Sequence, residues 1–319
     1  MSEQNKRPAV DPHIAIFRDR IAAAYAEHSI IAGDLQARRA AAETVRAPWV
    51  QGGPDMAQRI DIPAERGRPR MRLHVPATES RQPRPLLIYI HGGGWTVFSI
   101  ETHDRLMREY ADRSGFAVLG PDYSLSPEAP YPAALEEIGA VLEWVRANAA
   151  DFGLDGEAVF IAGDSAGANL AIGTALRERD AGRTDLRGLL LNYGAFDPRP
   201  RGSWRLLNGP DYMLADDEMA EFWRNYIGDR QIEHVPYAAP LSADLLGLPP
   251  THFCIPSGDI LADENLELAE KLRDAGVSVD ISEYPEATHS FLEAVSIAPL
   301  AGQALDRSAQ WLQEVAGIS

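Results

Sequence analysis

Residues 159–179 constrain the fold of this chain more than any other stretch. Val159-Phe160-Ile161-Ala162 is an uninterrupted apolar run, the pattern of a strand covered on both faces. Gly163-Asp164-Ser165-Ala166-Gly167 follows, and Ala168 to Arg179, rich in Ala and Leu, reads as a helix. Strand, sharp turn and helix is the context that the pattern G-x-S-x-G requires. Glycines at both ends let the backbone bend tightly and leave room beside the serine. The Ser165 hydroxyl then stands at a strand tip, and the Ala166 N–H, at a helix N-terminus, faces any negative charge that develops there. A turn that merely contains serine has the same five letters, so the flanking strand and helix carry the argument.

The rest of the chain repeats the alternation. Leu86 to Ile90, Phe116 to Leu119, Leu189 to Leu191, Thr251 to Ser257 and Val277 to Tyr284 read as strands. Arg105 to Arg113 (with Thr102 as its cap), Ala133 to Ala149, Asn265 to Ala275 (closed by Gly276) and Pro299 to Val315 read as helices. Gln58 to Pro63 and Met71 to Pro76 alternate apolar and polar residues, as an antiparallel edge pair does. Such alternation predicts an α/β chain with a mostly parallel sheet and its site at the strands' C-terminal ends. Residues 1–12 are expected to be mobile. Two helices, Ile14 to Tyr25 and Asp34 to Val45, precede the first strand, and residues 197–237 interrupt the alternation. The expected organisation is N-terminal cap helices over 1–50 and a catalytic domain over 51–319 with a cap insertion at about 197–237. Trp95, Trp204, Met213 and Phe222 are candidate substrate contacts, with ordinary core packing as the competing reading of each.

Composition excludes some partners. The chain has 319 residues and a formal charge of −17, which argues against unassisted binding to nucleic acid or to an anionic membrane. No stretch approaches the length of a membrane span and no apolar leader is evident, so a cytoplasmic enzyme is expected. Cys254 is the only cysteine, which leaves no intrachain disulfide, and it lies in an apolar run that reads as buried. No histidine–carboxylate group has zinc spacing, and no glycine-rich element matches a P-loop or dinucleotide fingerprint, so no metal or cofactor is expected.

Two further segments complete a chemistry. The strand Leu86 to Ile90 runs directly into His91-Gly92-Gly93-Gly94, where unobstructed backbone N–H groups can face an anion. Ser165, Asp259 and His289 each follow an expected strand, in the order Ser…Asp…His. A serine hydroxyl needs an imidazole to take its proton during attack, and the imidazole needs a carboxylate to fix its tautomer. Asp263 competes with Asp259 for the last role. Seven other histidines compete with His289, but only His289 follows the final strand in a short loop. His91 is expected to position the glycine loop, His103 to anchor the helix beginning there, and Asp164 to turn to local hydrogen bonds.

His91-Gly92-Gly93-Gly94, Asp122-Tyr123-Ser124-Leu125-Ser126-Pro127-Glu128 and Gly163-Asp164-Ser165-Ala166-Gly167 together resemble the hormone-sensitive-lipase-like esterases of the α/β-hydrolase fold, from about residue 70 to the C-terminus. The resemblance implies an eight-stranded, mostly parallel sheet flanked by helices with a helical cap. It implies Ser165 as nucleophile, His289 as base and Asp259 as its orienter, with oxyanion donors at Gly93, Gly94 and Ala166 and Gly92 shaping the loop. It further implies hydrolysis of short- to medium-chain acyl esters without a cofactor, and a tendency to form homodimers. Three positions depart from the family's habit: Ser290 stands where glycine commonly follows the histidine, Ile260 where proline follows the acid, and Ala168 where glycine is usual. The expected protein is a serine carboxylesterase whose kcat/KM climbs as an unshifted histidine near about 6.5 loses its proton. An amidase or peptidase on the same fold, and a small-ligand receptor without turnover, are the other readings; the presence of His289 weighs against the receptor.

Overall fold

The computed structural model describes residues 7–28, 34–78 and 83–318. Its strands are β1 (Met56–Ile62), β2 (Met71–Pro76), β3 (Arg84–Ile90), β4 (Ala117–Pro121), β5 (Leu154–Asp164), β6 (Leu186–Asn192), β7 (Thr251–Gly258) and β8 (Val279–Thr288). They form one sheet in the order β1-β2-β4-β3-β5-β6-β7-β8. The β1/β2 and β2/β4 pairings are antiparallel and all later pairings are parallel. The helices are α1 (Pro12–Ala26), α2 (Leu35–Arg46), α3 (Asp104–Ser114), α4 (Ala133–Asn148), α5 (Ala166–Asp180), α6 (Gly202–Leu207), α7 (Asp216–Ile227), α8 (Ala262–Asp274) and α9 (Pro299–Ala316).

Successive residues of a strand point to opposite faces, and the central strands show why theirs are apolar throughout. Leu86, Ile88 and Ile90 pack with α4, α5 and α8 on one side, while Leu87 and Tyr89 pack with α3 and α9 on the other. Phe160, Ala162 and Leu190 face α3 and α9, and Val159, Ile161, Leu189 and Leu191 face the opposite layer. Cys254 lies in β7, fully buried. β8 forms one edge of the sheet, and it carries half-buried Asp280 and exposed Glu283 and Glu286, charges that discourage edge-to-edge pairing.

The site is positioned by one reversal of strand order. From β3 the chain passes to β4 on one side and then to β5 on the other. Open α/β sheets leave a crevice at such a switch, outside the carboxyl ends of the strands. The glycine loop after β3 and the serine turn after β5 therefore emerge side by side. They also touch: a Cβ on Gly167 would fall 2.0 Å from the Ile90 carbonyl oxygen, and one on Gly163 would fall 2.3 Å from the Gly167 carbonyl carbon. Both glycines of the pentapeptide are fixed by this backbone approach.

Several local expectations change. Thr102 does not cap α3: the N-cap position is His103 with no side-chain cap, and the Thr102 hydroxyl turns back, donating to Ser99 O and accepting from Ser99 N–H. α8 begins at Ala262, three residues before the expected start at Asn265, and β5 begins at Leu154 rather than Val159, carrying the polar Asp155-Gly156-Glu157 that an apolar pattern passes over. Of the stretch expected to be mobile, residues 1–6 lie outside the described residues. The remainder is tied down. Asp11 N–H donates to Glu286 O at 2.8 Å, and its carboxylate accepts from His13 and Ile14 N–H to cap α1.

Two alanine substitutions separate contact from conformation. Gly167→Ala is expected to lose more than about 4 kcal/mol or fail to fold, because backbone rather than a movable side chain occupies the space. Gly139→Ala, inside α4 with nothing within 4 Å of the added methyl, is expected to gain about 0.5–1 kcal/mol. Urea unfolding of both variants measures the contrast.

Candidate active site

Ser165 sits at φ 53°, ψ −120°, a strained conformation for a residue with a side chain. Its N–H donates to Asn192 O at 2.9 Å and its carbonyl accepts from Asn169 N–H, so β6 and α5 hold the turn from both sides. The Asn169 amide donates in turn to Ala195 O and Ala238 O.

His289 follows β8 and Asp259 follows β7, adjacent parallel strands. The imidazole Nε2 lies 3.1 Å from Ser165 Oγ, and Nδ1 lies 2.7 Å from Asp259 Oδ2. Asp259 Oδ1 accepts from Leu261 N–H, leaving the carboxylate little freedom. Asp263 is engaged elsewhere, accepting from Ser203 N–H at the start of α6. His74 and His252 face Asp104 and Asp280, away from the serine. Ser290 adopts φ 59°, the left-handed region, which explains why glycine suits this position; here a hydroxymethyl group lines the cavity instead. Ile260 and Ala168 are both fully buried.

The glycine loop is organised by Asp164, through partners distant in sequence rather than the local ones expected. Its Oδ1 accepts from Tyr89 OH at 2.8 Å and from Gly92 N–H at 3.2 Å, and its Oδ2 faces His103 Nε2 at 3.4 Å. Burial alone would raise the Asp164 carboxyl, but the His103 charge and these hydrogen bonds hold it below the ordinary value. Burial opposes charge on His103, yet Asp164 pushes its pKa up. His91 goes the other way, down to about 4, through burial and the neighbouring His103 charge. His91 stacks on Tyr123, whose hydroxyl donates to His91 O. Gly92 thus uses its N–H on Asp164, whereas the N–H groups of Gly93, Gly94 and Ala166 meet no acceptor among the described residues.

A cavity of about 730 Å³ opens on Ser165 and His289. Its walls include Met213 and Phe222 but neither Trp95 nor Trp204. Trp95 is buried and stacks on Tyr226 at 4.3 Å, and Trp204 packs into the core; for these two, the core reading holds. Sequence reasoning missed the polar half of the wall: Tyr25, Arg38, Arg46 and Glu218, from α1, α2 and α7. Nothing in their spacing marks them, because they reach the cavity from elements unrelated to the sheet. Tyr193, also missed, sets its ring edge against His289 at a centroid distance of 5.1 Å. Burial disfavours the charged form of His289, but the Asp259 carboxylate, aided by Asp164 and Glu218, lifts its pKa above the ordinary 6.5. Among the described residues, no group of three or more His, Cys, Asp or Glu is placed to hold a metal, and no helix is long and apolar enough to cross a membrane.

A family model of the α/β-hydrolase fold matches residues 87–293. A carboxylesterase, NlhH, from Mycobacterium tuberculosis is 36% identical over 231 residues, covering 70% of this chain and 71% of that one. A hyperthermophilic esterase from the archaeon Pyrobaculum calidifontis superposes with a TM-score of 0.87 at 31% identity, covering 98% and 100% of the two chains. A thermostable esterase from Pseudomonas putida does so at 0.85 and 29%, covering 97% and 98%.

At the cavity wall, Arg46 forms an ion pair with Glu293 at 2.8 Å, both side chains being 6% exposed. It joins the end of α2 to the turn just beyond His289, and the guanidinium also lies over the Phe17 and Phe98 rings. Removing one partner strands a buried charge. Glu293→Gln is therefore expected to cost about 3–5 kcal/mol, and the apolar double replacement Arg46→Met/Glu293→Leu much less. A double-mutant cycle by denaturant unfolding tests this.

Proposed function

This chain belongs to the α/β-hydrolase family, in its hormone-sensitive-lipase-like branch, and from that premise we propose a serine mechanism for it through an acyl-enzyme on Ser165. The chain is a carboxylic ester hydrolase. The observation that carries the mechanism is the continuous contact from Asp259 through His289 to Ser165, at 2.7 and 3.1 Å.

In this reading Asp259 accepts a hydrogen bond from His289 Nδ1–H and so fixes the tautomer whose unprotonated Nε2 faces the serine. Ser165 Oγ attacks the ester carbonyl as His289 takes its proton. The oxygen that becomes negative is received by the unpartnered N–H groups of Gly93, Gly94 and Ala166, each such donor being worth about 2.7–4 kcal/mol. Collapse of the tetrahedral species breaks the bond to the alcohol oxygen, which leaves with the proton from His289. Water then attacks the acyl-enzyme by the same route, releasing the acid and restoring Ser165. The cavity volume of about 730 Å³ lies within the range for small-molecule sites, and short- to medium-chain acyl esters are the substrates of this reading. The α1 and α2 helices together with segment 197–237 act as the cap.

Loss of the nucleophile should be near total: Ser165→Ala is expected to lower kcat by about six orders of magnitude on a p-nitrophenyl butyrate assay. A phosphonate probe should add to the wild-type chain at residue 165 by mass spectrometry and leave the variant unlabelled. An active Ser165→Ala protein defeats the proposal.

The pH dependence has a defined sign. The base must be neutral, so kcat/KM rises with pH through the His289 pKa. Because Asp259 raises that pKa, the midpoint of the acid limb is expected above 6.5 rather than at the unshifted value. Asp259→Asn should lower the rate sharply and displace the midpoint downward. A profile flat from pH 5 to 8 with chemistry limiting would count against His289 as base.

A further inference from the structure

Above the glycine loop, one arginine of α2 gathers three residues of α7. Arg38 Nη2 donates to Glu218 Oε1 at 2.8 Å and Nη1 to Glu221 Oε1 at 3.1 Å. Its guanidinium carbon lies 4.8 Å from the centroid of the Phe222 ring. Glu218, Glu221 and Phe222 share one helical face, at spacings of three and four residues. Only a forked, planar cation meets two carboxylates and an aromatic ring at once; an ammonium is a point charge without the fork.

The ring has a definite neighbour on the sheet side. A Cβ built on Gly94 would fall 2.2 Å from Phe222 Cγ, so the ring fills the space where a side chain at 94 would stand. Gly94 is one of the N–H groups assigned above to the carbonyl oxygen. Gly94 and Phe222 both line the cavity, so a ring fixed there narrows it beside the N–H groups assigned to the carbonyl oxygen.

The geometry points to Arg38 as a positioning residue for acyl specificity: by holding Phe222 against Gly94, it restricts turnover to esters unbranched next to the carbonyl. Methyl groups on the carbon adjacent to the carbonyl meet the ring, while a straight chain extends past it toward α1 and α2. Without the fork the ring is released from α2 and yields to the added bulk. This inference rests on the serine-esterase reading.

The test compares p-nitrophenyl butyrate with p-nitrophenyl trimethylacetate, whose leaving group is the same. Arg38→Gln is expected to raise the trimethylacetate/butyrate ratio of kcat/KM at least tenfold over wild type, with Arg38→Lys in between. Phe222→Leu should raise the ratio as well, and adding it to Arg38→Gln should raise it little further, since both act through one ring. A ratio within twofold of wild type in Arg38→Gln, or both esters falling in parallel, overturns the assignment. So does full additivity of the two substitutions. Phosphonate titration of each variant counts competent sites, so that a misfolded fraction cannot pass as a specificity change. Ser165→Ala run alongside separates the two claims. Wild-type rates in that variant defeat the serine reading and this inference together, whereas an inactive Ser165→Ala with an unmoved ratio defeats this inference alone.

Discussion

The site depends on how closely the end of β3 approaches the turn that follows β5. The Ile90 carbonyl packs against Gly167 so tightly that a methyl group cannot intervene. That contact sets the glycine loop beside Ser165, and Asp164 then ties the two together through Gly92 N–H and Tyr89 OH. The carboxylate is buried, and His103, the N-cap residue of α3, balances its charge. Backbone proximity, one hydrogen-bonded carboxylate and one imidazole thus fix the Ser165 hydroxyl relative to the N–H groups of the glycine loop. Preorganised donors of this kind require little rearrangement as charge develops.

The polar groups around this junction have divided their work by environment. His91, His103 and His289 are all buried, yet neighbouring charges drive them apart: His91 downward, His103 and His289 upward. The difference lies in what each ring faces. His91 has a backbone carbonyl and a stacked tyrosine, while His103 and His289 each face a buried aspartate. The same residue type is pushed toward its neutral form in the loop and toward its charged form beside the carboxylates.

Much of this was legible in the sequence because strand ends are legible. The apolar runs of β3, β5 and β7 announce their own termination, and Ser165, Asp259 and the glycine loop stand immediately after them. His289 follows a strand whose outer half is polar, but it alone among the histidines stands in a short loop after the final strand. What could not be read was which way the large aromatic side chains turn. Trp95 and Trp204 are as aromatic as Phe222, and nothing in composition says that the first two turn into the core while the third lines the cavity. The arginines and glutamate of the wall are equally silent, since an ion pair between residues 38 and 218 has no local signature. Thr102 failed as a helix cap for a related reason: its hydroxyl found Ser99 in the preceding loop, a competition between backbone partners that the letters alone do not rank.

The cavity walls come from segments that lie far apart in the chain and outside the sheet, whereas its floor comes from loops at the strand ends. Residues of α1, α2 and the stretch from 209 to 222 shape the chamber, while the loops after β5, β7 and β8 carry the Ser165–His289–Asp259 contacts at its base. The architecture divides the chamber between a base built on the sheet and walls built outside it.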